Sequence, residues 1–215
     1  MQILAQSIYK RDVTIDEFLI RKDIKCLGMM DPQEFATPLA EKIDYINTFI
    51  DREPFFDIYN ISHEKEEQFD FVICSEIFEH LSPPISHAFL QLKKLLKPGG
   101  SIIFTAPYNF EETTKEYFPD LFDYSLCHDD NGPYLINKTK EGSIQVFRKL
   151  NFHHGESLAL VKRDFSRSGL IQNLTEAGFT DIKFWESPYF PYGIYHPEAC
   201  GYPLTANKGP AFIGE

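Results

Sequence analysis

The sequence predicts an α/β fold, a doubly wound, mostly parallel sheet with helices on both faces. Three observations carry that expectation. Phe69-Asp70-Phe71-Val72-Ile73-Cys74-Ser75 is a short apolar run suited to a strand buried on both faces. A stretch of helical periodicity follows, and then a second apolar run, Ser101 to Ala106. Strand, helix and strand in that order form a crossover unit, for which a right-handed connection is expected.

Each element has its own reason. Residues 1–23 read as an N-terminal extension with one short helix, capped by Thr14 and packed down by Phe18 and Leu19. Ile24 to Met29 reads as the first strand. Asp31-Pro32-Gln33-Glu34 then starts a helix, with a cap, Pro at the first position and an acid in the first turn. Phe35, Ala36, Leu39 and Ala40 supply its apolar face. Ile43 to Ile50 gives a second strand and Phe55 to Ile61 a brief third, followed by a charged loop over Ser62 to Gln68. Phe69 to Ser75 is the fourth strand. Ser82 caps the linking helix, and Pro83 suits its first position. Ile85, Ala88, Phe89, Leu92 and Leu96 recur at helical spacing. Lys93, Lys94 and Lys97 favour the C-terminal end of the dipole. Pro98 stops the helix, and Gly99-Gly100 turns the chain into the fifth strand.

Asn109 to Asp123 is acidic and aromatic. Gly132 to Asn137 and Ser143 to Phe147 flank a turn at Lys140-Glu141-Gly142, so a β-hairpin is expected there. Phe165-Ser166 opens a last helix, with Leu170, Ile171, Leu174 and Ala177 on its buried face and Gly178 at its end. Thr180 to Glu186 reads as a sixth strand. A seventh is expected near Pro203 to Ala206.

At 215 residues, one domain spanning 1–215 is the default. The net charge of −11 makes a nucleic-acid backbone a poor general partner. Cys26, Cys74, Cys127 and Cys200 are far apart and form no CxxC pair, which points to thiols in a reducing compartment. No signal peptide is legible, and no apolar run approaches membrane-spanning length. Cytoplasm is therefore the expected location.

The candidate chemistry sits where the fourth strand ends, the edge at which open α/β sheets bind ligands. Glu76, Glu79 and His80 share one face if the turn after the strand is helical. Together with His153 or His154 they can hold a divalent cation. Mg²⁺ suits carboxylate oxygens, although it usually keeps several waters. Without a metal, His80, His153 or His154 can act as general base on a hydroxyl. The same side chains can equally do no more than stabilise the loop.

The run "FDFVICSEIFEHL…LKKLLKPGGSIIFTAP" resembles the middle of class I S-adenosylmethionine (SAM)-dependent methyltransferases, and looser similarity extends over residues 24–185. "LTEAGFTDIKFWE" is a further feature of that family. The resemblance implies a Rossmann-like sheet of seven strands, with a hairpin insertion after strand five. Segment 109–154 would be a substrate-side elaboration or a structural flap. The loop at Gly28 would hold the methionine part of SAM. The family uses several glycines there, whereas Met29, Met30 and Asp31 follow Gly28 here. A carboxylate usually meets the ribose at the end of strand two. Phe49 takes that position by spacing, and Asp51 lies two residues on. Asp57 would accept from the adenine amino group, the Ile58 backbone N–H would meet the ring, and Ser75 and Glu76 would border the cofactor. The implied activity is methyl transfer to a small-molecule or sugar acceptor, at oxygen. Glu-x-x-Glu-His also resembles the metal ligands of small-RNA 2′-O-methyltransferases and of some quinone-biosynthesis O-methyltransferases. Two alternatives stay open: a methyltransferase-like binding module without SAM, and a metal-assisted RNA 2′-O-methyltransferase.

Overall fold

The structure is a computed structural model and describes residues 1–153, 159–190, 193–195 and 201–210. In chain order the elements are α1 (Gln2–Tyr9), β1 (Arg21–Met29), α2 (Gln33–Lys42), β2 (Ile43–Thr48), β3 (Phe69–Ser75), α3 (Ile85–Leu95), β4 (Leu96–Thr105), β5 (Tyr108–Asn109), β6 (Lys115–Glu116), β7 (Asp123–Asp129), β8 (Gly132–Lys138), β9 (Ile144–Phe147), β10 (Arg163–Ser166), α4 (Arg167–Glu176), β11 (Thr180–Phe184) and β12 (Leu204–Asn207).

Six strands form the main sheet, in the order β11-β12-β4-β3-β1-β2. β2, β1, β3 and β4 run parallel, and β12 runs antiparallel to both its neighbours. The strand-helix-strand unit lands in register, with Val72 beside Ile102 and Cys74 beside Phe104. Alternate side chains feed two cores, as the period of a strand requires. Val72, Cys74, Ile102 and Phe104 pack with Phe89 and Leu92 of α3 and Leu170 and Leu174 of α4. Ile73 and Ile103 point the other way, toward Leu4 of α1 and Leu39 of α2. The sheet is thus covered on both faces, as the apolar runs required.

Several expectations need correction. The sheet has six strands, because Phe55–Ile61 contributes only a single bridge between Phe55 and Phe49. Pro54 has no N–H for a ladder. The Asp57 carboxylate accepts from Tyr59 N and Asn60 Nδ2, at 2.9 and 2.7 Å, and turns the chain back on itself. The N-terminal helix lies at Gln2–Tyr9, ahead of Thr14. Thr14 and Glu17 do form a reciprocal cap, but over a single 3₁₀ turn. Phe18 is buried as expected, whereas Leu19 is 62% exposed. Asp31 does not cap α2, which starts after Pro32 with no side-chain cap. Ser82 does not cap α3 either. Ser166 does cap α4, accepting from Gly169 N at 2.9 Å.

The expected hairpin is β8 and β9, joined through Lys140–Gly142. A strand the sequence reading did not place, β7, pairs on the other side of β8 and makes a three-stranded flap. A small cluster of Phe118, Leu121 and Leu135 underlies it. Cys26 and Cys74 are buried free thiols; Cys200 lies outside the described residues. No helix among the described residues is long and apolar enough to cross a membrane.

Phe89 joins these layers, with ring centroids 4.7 Å from Phe78, 5.8 Å from Phe104 and 6.4 Å from Phe165. Phe89→Ala is expected to cost about 3–5 kcal/mol. Leu19→Ala, on the surface, should stay within about 0.5 kcal/mol. Urea denaturation of the two variants checks the contrast, and equal losses would contradict this account of the core.

Candidate active site

A cavity of about 610 Å³ opens over the C-terminal ends of β1, β2 and β3. Met29, Thr48 and Phe49 form its floor where β1 and β2 end. Asp57, Ile58, Ser75 and Glu76 contribute one wall, and His80 and His153 another. Met29 and Phe49 therefore border the space without filling it. Glu76 stands in the left-handed region, at φ 54, immediately past β3. Such backbone concentrates where surrounding structure imposes it, commonly at functional corners. Its N–H is held by Thr105 O at 3.0 Å.

Two predicted cofactor contacts fall outside this wall. Asp51 is exposed and lies 3.5 Å from the guanidinium of Arg52, at the surface. Gly28 is needed for a contact within the protein itself. A Cβ there would lie 2.0 Å from Tyr45 Oη and 2.2 Å from Asp31 Oδ2. The Tyr45 hydroxyl donates to Asp31 at 2.6 Å directly over the glycine, and Thr48 Oγ1 ties down Gly28 O at 2.8 Å. One glycine suffices where the chain packs its own side chains against the loop. Burial raises the Asp31 carboxyl to about 6, although the Tyr45 hydrogen bond opposes the shift.

Three of the four predicted metal ligands come together. Glu79 Oε1 lies 3.6 Å from His80 Nε2 and 3.6 Å from His153 Nδ1, and the two nitrogens are 3.1 Å apart. Glu76 is not part of this group, and His154 lies outside the described residues. Glu79 is 1% exposed, and neither of its carboxylate oxygens has a hydrogen-bond partner among the described residues. Burial raises this carboxyl to about 8, with the charge of Glu76 adding and that of Arg163 opposing. The His80 ring donates from Nδ1 to Leu160 O at 2.9 Å, because a carbonyl can only accept. Its Nε2 therefore carries the lone pair and accepts from His153 Nδ1 at 3.1 Å. Burial lowers the His80 pKa and so favours the neutral ring.

Sequence reasoning missed a third group beside these rings. The Lys162 ammonium donates to Tyr124 Oη at 2.9 Å and Ser82 Oγ at 3.1 Å. All three side chains line the same cavity. A lysine closing the apolar run Leu158-Ala159-Leu160-Val161 was the available signal. A second cavity, of about 470 Å³, lies between the N-terminal residues, Phe35 and Trp185, and shares Ser75 with the first.

The class this fold and site define is a nucleoside-binding α/β protein with ligand chemistry at the strand ends. A family model described as "Methyltransferase domain" matches residues 28–183, and the chain belongs to that family, the class I SAM-dependent methyltransferases. The resemblance read from the strand-helix-strand run is thereby borne out. No curated protein sequence matches the chain. Among solved structures it is similar to a 1,6-didemethyltoxoflavin-N1-methyltransferase of Burkholderia thailandensis with bound 1,6-didemethyltoxoflavin and S-adenosylhomocysteine. That likeness has 12% identity and a TM-score of 0.51, over 97% of this chain and 76% of that one. It is also similar to the CurJ carbon methyltransferase, at 11% identity and TM-score 0.54, over 97% of this chain and 54% of that one. This chain thus spans about half the CurJ chain. Streptomyces venezuelae DesVI matches at 13% identity and TM-score 0.50, over 97% and 89%.

Asp31 gives a prediction for pH. Its folded pKa of about 6 lies above the ordinary 3.8, so the folded chain keeps a proton that the unfolded chain releases. Its contribution to stability therefore falls as pH rises through that window. Asp31→Asn should gain on wild type between about pH 4 and 6 and hold a constant advantage above it. Thermal melts across that range check this, and a gap independent of pH would contradict it.

Proposed function

We propose that the chain transfers a methyl group from SAM to the hydroxyl of a small-molecule or sugar acceptor. The carrying observation is the cavity over the strand ends, with Asp57, Ile58, Ser75 and Glu76 on one side and the two imidazoles on the other. Its volume lies within the range of small-molecule sites. Asp57, whose oxygens also accept from Tyr59 and Asn60, would accept from an adenine amino group, and the Ile58 backbone would meet the ring. Glu76 would set a carboxylate near the ligand's cationic end. Gly28 acts on the ligand only through the loop it shapes, and a ribose contact from Asp51 requires that exposed side chain to turn inward.

Bound there, SAM supplies an activated methyl group whose transfer leaves a neutral thioether. The residues of this chain do the rest. They hold the acceptor oxygen in line with the methyl carbon, and such positioning can account for most of the acceleration. The unprotonated Nε2 of His80 takes the hydroxyl proton once the acceptor displaces the His153 contact. Neighbouring folds belong to N- and C-methyltransferases, so the preference for oxygen rests on this neutral base.

The orphaned Glu79 carboxylate favours a second reading of the same wall, in which Glu79, His80 and His153 hold a divalent cation. The three atoms form a triangle that an ion about 2.0–2.1 Å from each can occupy. Two imidazoles and one carboxylate suit zinc or a similar transition ion. They do not suit Mg²⁺, which prefers an octahedral oxygen shell. The expectation of Mg²⁺ is corrected accordingly. Such an ion would polarise the acceptor hydroxyl as a Lewis acid.

Calorimetry with SAM and S-adenosylhomocysteine tests the main reading. Both should bind, and Asp57→Ala should weaken them about 10- to 100-fold, the size of a charged hydrogen bond. Binding of neither ligand would leave only the non-catalytic binding module. For the second reading, zinc-loaded and desalted protein should carry one equivalent of metal, lost in Glu79→Ala and His80→Ala. Wild type without metal would leave His80 as the base.

A further inference from the structure

Lys162 poses a problem of charge. It is only 8% exposed, and its ammonium meets the hydroxyls of Tyr124 and Ser82 and lies 4.9 Å from the Tyr124 ring centroid, with no carboxylate paired to it among the described residues. A buried charge is costly unless it is paired. The backbone that carries it is held on both edges. Its N–H donates to Glu79 O at 2.8 Å, and its carbonyl accepts from Tyr117 N at 2.9 Å.

The donor count shows what is missing. An ammonium has three N–H donors, and two are engaged here. Tyr124 and Ser82 each accept from Lys162, which leaves their own O–H protons to donate; their oxygens are 3.4 Å apart. One of those two hydroxyl protons is shared between them, so one hydroxyl proton and the third ammonium N–H find no acceptor among the described residues. The Tyr124 phenol reports the same imbalance. Burial pushes its pKa up, yet the hydrogen bonds from Lys162 and Ser82 and the ammonium's charge outweigh burial and leave it lowered. All three groups face the cavity that also contains His80 and His153.

We infer that the acceptor carries an anionic group, a carboxylate or a phosphate, received by Lys162, Tyr124 and Ser82. This rests on the methyltransferase reading of the same cavity and names its substrate class. The anion supplies the acceptor and the counter-charge that the described residues lack, and it anchors the acceptor beside the two imidazoles.

The test uses inorganic phosphate and acetate as probes, titrated into the full chain loaded with S-adenosylhomocysteine. Binding is read from the amide and side-chain NMR signals of Lys162 and Tyr124. At least one probe should saturate those signals. Lys162→Met should weaken it at least ten-fold, with Lys162→Arg restoring part of the loss and Tyr124→Phe losing several-fold. The stronger probe tells carboxylate from phosphate. If Lys162→Met does not fold, the Arg and Phe variants carry the comparison. No saturable binding, or binding unchanged in the variants, overturns the inference. So does a probe displaced by S-adenosylhomocysteine, since the anion position would then belong to that ligand's own carboxylate. Calorimetry of S-adenosylhomocysteine keeps the two readings apart: its failure to bind wild type removes the nucleoside reading, whereas intact binding without an anion response removes this inference alone.

Discussion

One short strap holds the site together. Residues 160–163 run past the 3₁₀ turn Phe78–His80 and are fastened to it by three consecutive contacts. His80 Nδ1 donates to Leu160 O, Lys162 N donates to Glu79 O, and the Arg163 guanidinium donates to Phe78 O. Arg163 is among the largest fully buried side chains, and Glu116 balances its charge at 2.7 Å. A buried ion pair of this kind adds little net stability, yet removing one partner leaves an uncompensated charge. The pair therefore works as a positional lock. It fixes the turn that carries Glu79 and His80 against the strand that carries Lys162, and β6 enters through Glu116. The neutral ring, the orphan carboxylate and the buried ammonium all derive their places from that strap.

The opposite side of the cavity obeys a different constraint. Family members bring ligand and backbone together with glycines, whereas here Tyr45 and Asp31 close over Gly28. The loop is kept rigid by side-chain hydrogen bonds: Asn47 accepts from Asp31 N and donates to Asp31 O, at 3.0 and 2.7 Å. Rigidity bought this way costs a carboxylate whose burial raises its pKa. It also moves the usable space toward Asp57 and Glu76, which is where the cavity lies.

Legibility followed the kind of force involved. The sheet's centre was legible because burial on both faces writes continuous apolar runs, as in Phe69–Ser75, and α3 because its periodicity is strong. Polar residues with two competing uses were not. Asp31 and Ser82 look like helix caps, but Asp31 receives the Tyr45 hydroxyl and Ser82 the Lys162 ammonium. Asp57 turns its own segment and so removes the strand expected there. The site was half legible. Glu79, His80 and His153 meet as a sequence motif suggested, while Glu76, with its left-handed backbone, lines the same cavity outside that group. Lys162 and Tyr124 meet across 38 residues of chain, a contact that leaves no local periodicity to read.

The charges lining the cavity bear on the chemistry proposed. Carboxylates, two imidazoles and an ammonium with two hydroxyls all line it. A sulfonium donor would lie toward Glu76 and an anionic acceptor toward Lys162. Methyl transfer from such a donor to a nucleophile that is losing its proton reduces charge separation as the bond forms. A site with little water strengthens every electrostatic interaction within it. The fixed charges therefore serve to orient donor and acceptor toward each other, and positioning does the rest. Burial favours the uncharged His80 ring, the form able to take a proton. The strap matters more than any single ligand contact, because releasing it would free the imidazole and the ammonium at once.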